Sequence, residues 1–420
     1  MLLSPTKRPQ SLAAALVAIV LLMTGCWDRR EVETLAFVTS TGIDLDDSAN
    51  PDQDPMIELT LEIANAGLGG GAGPSAAAPG EGGTQPTTVR TGRGPTPLDA
   101  LLDVQANSGR TIFIAHNRVI VLAADIPRRR ELARVLDYFD RSGEARGTSF
   151  LAVADGVPAR EVIHAIAPFT GRSGSILADA IRVSHAERGT PMVTLRQFLI
   201  LSSLEGIDPV LPRIVRDPLA SDGPEPPDAH SEGGFPPRLS VRLEGAALFR
   251  GDHMVGALDE IETKGLMWAT SQLHDAYVDV PCPTDERSLF VLSIQRSHGR
   301  LSLELEPALR GRIHVVMEGR LIDVQCPRED FDVTSAGIAA AQAHLKDRIE
   351  QSIRRAVQKS QALGADPFGF GAELHRRAPK LWREVEERWY DTLWPALPVD
   401  IAVEVDIRRS GLVMESYTAR

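Results

Sequence analysis

Apolar residues occupy every second position from Ile57 to Ile63, with Glu58, Thr60 and Glu62 between them. That period of two predicts a strand with one face buried. Ahead of it, Leu35 to Thr39 predicts a shorter strand, followed by Gly42-Ile43-Asp44 and an acidic loop. Further strands are predicted at Ile112 to Ile114, Val119 to Leu122 and Phe150 to Ala154. Elsewhere the period becomes helical: Leu132, Val135, Leu136 and Phe139 make one stripe. Thr96-Pro97 is a helix cap with proline at the first helical position, and Gly109 closes that helix. Shorter helices are predicted over Arg160 to Ile166, Ile176 to Ala186 and Leu195 to Leu204, the last opened by Thr194 and Gln197 at capping-box spacing.

In the second half, Leu239, Val241 and Leu243 alternate, and Gly251-Asp252 is a candidate two-residue hairpin turn. A helix near 259–273 leads into segments 276–281, 288–296, 301–305 and 312–324, which read as four consecutive antiparallel strands. A long amphipathic helix is predicted from Ser335 to Leu363, with Ile338, Leu345, Ile349, Ile353, Ala356 and Val357 on one face. Gly364 and Pro367 end it. A helix from Pro379 to Trp394 and a strand alternating through Val399, Ile401, Val403, Val405 and Ile407 complete the pattern. It predicts an α+β, multi-domain fold: antiparallel sheets with helices packed on one side.

Two stretches lack apolar periodicity. Residues 66–96, rich in Gly, Ala, Pro, Ser and Thr, read as a flexible insertion in the first domain. Residues 217–238, crowded with Pro, Asp and Gly, read as a linker. The expected organisation is a signal segment 1–25, an N-terminal α+β domain 26–216 with a helical subregion from about 155 to 216, the linker, and a C-terminal α+β domain 239–420.

The signal segment places the protein. Lys7 and Arg8 precede an apolar run from Leu12 to Met23, then Thr24, Gly25 and Cys26. This is the layout of an export signal. Its core falls short of the roughly 20 apolar residues that span a bilayer. Cleavage before Cys26, with a diacylglycerol on its thiol, would make the chain a lipoprotein, because two acyl chains anchor stably where one does not.

Composition sharpens this. Loss of Lys7 and Arg8 with the signal moves the formal charge from −12 to −14. Nucleic acid, which requires basic patches, is not an expected partner. Net charge of that sign also opposes anionic lipid, so attachment is expected to rest on the acyl chains and on protein partners. Cys282 and Cys326 are the remaining thiols. The four-strand meander puts them at opposite ends of the sheet, beyond the reach of a disulfide, unless a bulge or a different strand count intervenes.

No catalytic constellation is present: no Gly-x-Ser-x-Gly elbow, no phosphate loop ending in Gly-Lys, no His-Glu-x-x-His helix. His344 and His375 read as solvated surface. The loop with Asp44, Asp46, Asp47, Asp52 and Asp54 begins like a calcium loop, through Asp44, Asp46, Ser48 and Asn50. It then fails, with Ala49 where glycine belongs and Pro55 where a bidentate glutamate belongs. No metal or cofactor is expected beyond the lipid on Cys26. Trp382, Trp389 and Trp394 read either as core under the last strand or as an exposed aromatic patch for a partner.

The stretch GCWDRREVETLAFVTSTGID from Gly25 to Asp44 resembles the opening of the Ger(x)C family, the C-subunit lipoproteins of bacterial spore germinant receptors. TPLDALLDVQANSGRTIFIAHNRVIVL through LDYFDRSGEARGTSFLAVADG is similar as well, as is FRGDHMVGALDEIETKGLMW. The most specific likeness is DPFGFGAELHRRAPKLWREVEERWYDTLW with VDIAVEVDIRRSG, between Asp366 and Gly411. The chain departs from the family in the length of 66–96 and of the linker. The resemblance implies a non-enzymatic subunit, anchored through Cys26 to the outer face of the spore inner membrane. It would work there with a polytopic A-type and a transporter-like B-type subunit that turn nutrient sensing into ion and dipicolinate release. The rival reading is an extracytoplasmic solute-binding lipoprotein of a transporter, disfavoured by the antiparallel second half.

Overall fold

The computed structural model describes residues 34–46, 55–64, 87–166, 173–217, 241–274, 276–282, 287–326 and 335–409. Residues 1–33, with the signal segment and Cys26, lie outside them.

The first half is built on β1 (Leu35–Asp46), β2 (Met56–Ala64), β3 (Thr87–Gly94), β4 (Thr111–Phe113), β5 (Val119–Ala123), β6 (Phe150–Ala154) and β7 (Val210–Arg216). Its helices are α1 (Pro97–Ser108), α2 (Asp125–Arg128), α3 (Leu132–Arg141), α4 (Ala159–Ile166), α5 (Ser173–Arg188) and α6 (Leu195–Ser203). The hairpin of β8 (Val241–Arg250) and β9 (His253–Leu258) extends the same sheet, in the order β3-β2-β1-β5-β6-β7-β8-β9 with β4 also on β1. The second half continues with α7 (Glu260–Ala269), β10 (Ala276–Pro281), β11 (Leu289–Glu304), β12 (Arg310–Val324), α8 (Ser335–Ala362), α9 (Phe370–Arg377), α10 (Pro379–Arg388) and β13 (Val399–Arg409). A π-turn over Trp389–Leu393 and a short helix, Trp394–Ala396, join α10 to β13. The second sheet runs β10-β11-β12-β13.

Local signals account for several helix starts. Thr96 accepts from Asp99 N and Gly109 closes α1 in the left-handed region. Thr194 with Gln197, and Asp259 with Glu262, form reciprocal capping boxes on α6 and α7. The α+β, multi-domain reading holds, but the sheets are mixed rather than antiparallel. β1, β5, β6 and β7 run parallel, and β13 returns parallel to β12.

The predicted face pattern of β2 also changes. Ile57, Leu59, Leu61 and Ile63 are buried, and so are Glu58, Thr60 and Glu62. Glu58 is matched by Arg93 and Arg160, and Glu62 accepts hydroxyl protons from Thr39 and Ser40. These partners make burial of the second face tolerable. The expected flexible insertion 66–96 is corrected at its end, where β3 pairs along β2 from Ile57 to Ala64. Gly92 and Gly94 read as loop formers in sequence. In the fold they let α1 lie close, since a Cβ there would sit 2.4 Å from Ala100 O and 2.5 Å from Ala100 N. Residues 65–86 lie outside the described residues.

The four-strand meander is corrected to three. Segments 288–296 and 301–305 belong to one strand, β11, which bends at an irregularity between Ile294 and Arg296 and continues through Gly299. Removing one reversal puts the ends of β10 and β12 on the same side, both beside the start of β11. Cys282 N donates to Ser288 O and Gln325 N to Leu289 O, each at 2.9 Å. Cys282 and Cys326 are joined in a disulfide with Cα atoms 5.6 Å apart.

Two apolar cores result. The first lies around β1, β2, β5 and β6; the second lies between the smaller sheet, α7, α8 and the tryptophans. β8 serves both: Ala247 and Phe249 belong to the first, Ala246 and Leu248 to the second. A thiol titration of denatured, unreduced protein is expected to find Cys282 and Cys326 unreactive. Replacing both by Ser should cost about 4 kcal/mol in chemical denaturation, from the loop the bond closes.

Candidate functional site

The best-defined polar site is the junction between the halves. It is built from the loop after α6, carrying Glu205, Gly206 and Asp208, and the loop after α8, carrying Asp366 to Gly369. Asp208 N donates to Asp366 O at 2.9 Å, and Asp366 N donates back to Asp208 Oδ2 at 2.7 Å. Gly251 N, in the β8–β9 turn, donates to Asp208 Oδ1 at 2.9 Å. One carboxylate thus ties three segments. Asp366 in turn accepts from Gly369 N at 2.9 Å, Gly371 N at 2.8 Å and Trp389 Nε1 at 3.3 Å.

The backbones meet almost without side chains between them. Gly206 has φ 74°, and a Cβ on it would lie 2.3 Å from Gly371 C. Ala372 N donates to Gly206 O at 2.7 Å. Only glycine meets both demands, a left-handed backbone and no room for a side chain.

Around this contact the three tryptophans are buried, which selects the core reading over the partner patch. Each indole N–H finds an acceptor: Trp382 on Glu205 Oε2, Trp389 on Asp366 Oδ2 and Trp394 on Ala365 O. His375 stacks on Trp382 with centroids 5.7 Å apart, so it is a packed side chain as well as a partly solvated one. His344 is exposed. Arg250 bonds Asp391 at 2.6 Å and lies over the Tyr390 ring. A cleft of about 510 Å³ opens beside the junction, lined by Glu205, Asp208, Arg250, Trp382, Glu386 and Tyr390.

Burial dominates the electrostatics. It pushes the fully buried Asp366 carboxyl up to about 7, the backbone N–H groups of Gly369, Phe370 and Gly371 opposing it and the Asp208 charge adding to it. Burial also raises Asp208, against the N–H groups of Asp366 and Gly251. The Tyr390 hydroxyl is raised by burial and by both aspartates.

Asp44 does not face an ion loop. Its two oxygens accept from Ala159 N and Arg160 N, each at 2.8 Å, so it caps α4. Asp46 pairs with Arg93 at 3.3 Å. Asp47, Ser48, Asn50, Asp52 and Asp54 lie outside the described residues. Among the described residues no group of three His, Cys, Asp or Glu could hold a metal ion. The junction presents acceptors to backbone donors, a chemistry of fastening. Asp366 and Gly371 stand in the DPFGFG run already singled out, whereas Asp208 and Gly206 carry no local signal, because their partners lie far along the chain.

The two halves match two family models. The spore germination protein N-terminal domain covers residues 28–216, and the spore germination B3/GerAC-like C-terminal domain covers residues 244–411. The chain therefore belongs to the GerAC family of spore germination proteins. It is 24% identical to spore germination protein KC of Bacillus subtilis (strain 168) over 96% of both chains. It is 20% identical to spore germination protein B3 of that organism, over 88% of this chain and 90% of the relative. Its fold is similar to the crystal structure of the GerBC protein, with TM-score 0.51 and 16% identity, covering 88% of this chain and 97% of that one.

Gly206→Ala is expected to lower stability by roughly 2–5 kcal/mol, from strain and overpacking together, and to expose the junction to limited proteolysis. The native state holds the Asp366 proton more tightly than the unfolded chain does. Its contribution therefore grows as pH falls from about 7 toward the ordinary carboxylate value of 3.8. Relative to Asp366→Asn, the parent should gain stability over that window by at most about 1.4 kcal/mol per pH unit. Denaturation midpoints of the two proteins at several pH values would measure it.

Proposed function

We propose that this chain is the lipid-anchored C subunit of a spore germinant receptor, a non-enzymatic component that couples or scaffolds its membrane partners. The observation that carries the reading is the match of both halves, in order, to spore germination domains over 28–216 and 244–411. The junction adds support, since the stretch most specific to the family supplies the buried carboxylate and glycine that fasten the halves.

The anchor is the thioether-linked diacylglycerol on Cys26, with palmitate among its acyl chains, and it holds the protein on the outer face of the spore inner membrane. The apolar run ahead of Cys26 supports this, and no helix among the described residues is long and apolar enough to cross a membrane. The partners are the A-type and B-type receptor subunits and the bilayer. No cofactor, metal or nucleic acid enters the role, and the aspartates at the junction work as fasteners rather than as acid and base.

Mild solubilisation of spore inner membranes and purification of the tagged protein should bring down A-type and B-type subunits, identified by mass spectrometry. Recovery of a permease and an ATPase instead would replace this reading with that of a solute-binding lipoprotein. Cys26→Ala should leave the folded domain intact and move the protein out of the membrane fraction.

A further inference from the structure

The four parallel strands of the large sheet begin toward one end of it, β5 opposite Ser40 of β1, and exposed arginines stand there. Arg110, Arg118, Arg146 and Arg196 are exposed there, and among the described residues none has a carboxylate partner. The backbone gathers them. Thr111, next to Arg110, pairs with Leu35 at the start of β1. Arg118 N donates to Thr39 O at 2.9 Å, and Arg118 O accepts from Phe150 N at 2.8 Å. The turn before β6 carries Arg146, whose carbonyl accepts from Ser149 N at 3.1 Å, and Arg196 N donates to Gly147 O at 3.0 Å.

The opposite end has arginines as well, and four of them there share two carboxylates. Arg128 and Arg213 share Asp155 at 2.8 and 2.9 Å, and Arg93 and Arg160 share Glu58 at 2.6 and 3.3 Å. At the strand-start end, Asp140 lines a cleft with Arg196 but forms no ion pair with it among the described residues. A chain of net charge −12 thus carries four exposed arginines without carboxylate partners among the described residues at this end, with Glu144 in the same turn as Arg146.

Helix α6 gives that face its second character. It leaves from beside the start of β6, where Leu195 N donates to Ser149 O, and the chain returns at Val210 to begin β7. Since Arg213 pairs with Val153, both ends of the excursion meet the sheet at the level of the strand starts, and α6 lies across them. Arg196 and Ile200 stand one turn apart on α6 and Leu204 follows as its C-cap, Ile200 and Leu204 each 52% exposed. A basic residue in line with exposed aliphatics suits the boundary between headgroups and acyl chains.

We propose that this end, floored by α6 and ringed by Arg110, Arg118, Arg146 and Arg196, lies flat against an anionic lipid surface. The inference rests on the lipid-anchor reading of Cys26. Leu35 follows Cys26 by nine residues, so the start of β1 stays within roughly 30 Å of the anchored sulfur. The tether emerges at the basic end, and the unpaired arginines orient the domain on it. Net charge alone argues for repulsion, but screening over about 10 Å lets the local patch decide the contact.

The test uses the full lipidated chain on phosphatidylcholine vesicles with and without phosphatidylglycerol. With Cys26 acylated and Cys282 bonded to Cys326, an added cysteine is a unique labelling site. Fluorophores are placed by Thr148→Cys at the basic end and by Asp125→Cys at the far end, and are quenched by nitroxides on the lipid headgroups. Flotation reports the anchor separately. Quenching should favour position 148, rise with phosphatidylglycerol, and fall in the combined Arg118→Gln, Arg146→Gln, Arg196→Gln variant while flotation is unchanged. At roughly fivefold per arginine, the three together should lower the face-down population about a hundredfold. Flotation with equal quenching at both positions, or quenching indifferent to phosphatidylglycerol and to the arginines, would overturn the proposal alone. Failure to float would overturn the anchor reading and this proposal with it. If the variant lies down normally but loses its protein partners in purification, the patch binds an acidic protein face and the lipid proposal falls.

Discussion

The architecture depends on two backbones coming closer than any side chain allows. At Gly206 and Gly371 the loop after α6 and the loop leading into α9 touch, and a Cβ on either would overlap the other. That approach brings Asp208 and Asp366 into reciprocal hydrogen bonding and sets Trp389 over the Asp366 carboxylate. Burying a carboxylate is costly unless every lone pair is used. Here both donors to Asp208 of the first half, Gly251 N and Asp366 N, belong to the second, so parting the halves breaks both of its hydrogen bonds.

Much of the fold was legible from short stretches. The starts of α1 and α6 were, because Thr96-Pro97 and the Thr194–Gln197 box are read within four residues. What escaped required knowledge of distant partners. β11 was read as two strands, whereas in the fold it runs on through Gly299, where α7 packs so close that a Cβ would lie 2.3 Å from Trp268 O. That one misread reversal also decided the cysteines, since parity of strand count determines which ends of a meander meet. The site was half legible: the DPFGFG run stood out, while Asp208, 158 residues from Asp366, did not.

The distribution of charge follows the same logic of position over total. Glu58 and Asp44 are buried but engaged, Glu58 by two arginines and Asp44 by the first amides of α4. Carboxylates that look dispensable in an acidic chain are therefore structural at these points.

β8 is read by two cores at once. Val241, Leu243, Ala247 and Phe249 answer to the first, and the intervening Ala246 and Leu248 to the second. Because side chains alternate along a strand, losing or gaining one residue between Ala246 and Phe249 would exchange the two sets and misfit both cores together. Substitutions along that run can be absorbed by one half or the other, whereas a change of its length cannot; the register irregularity around Gly245 lies outside it.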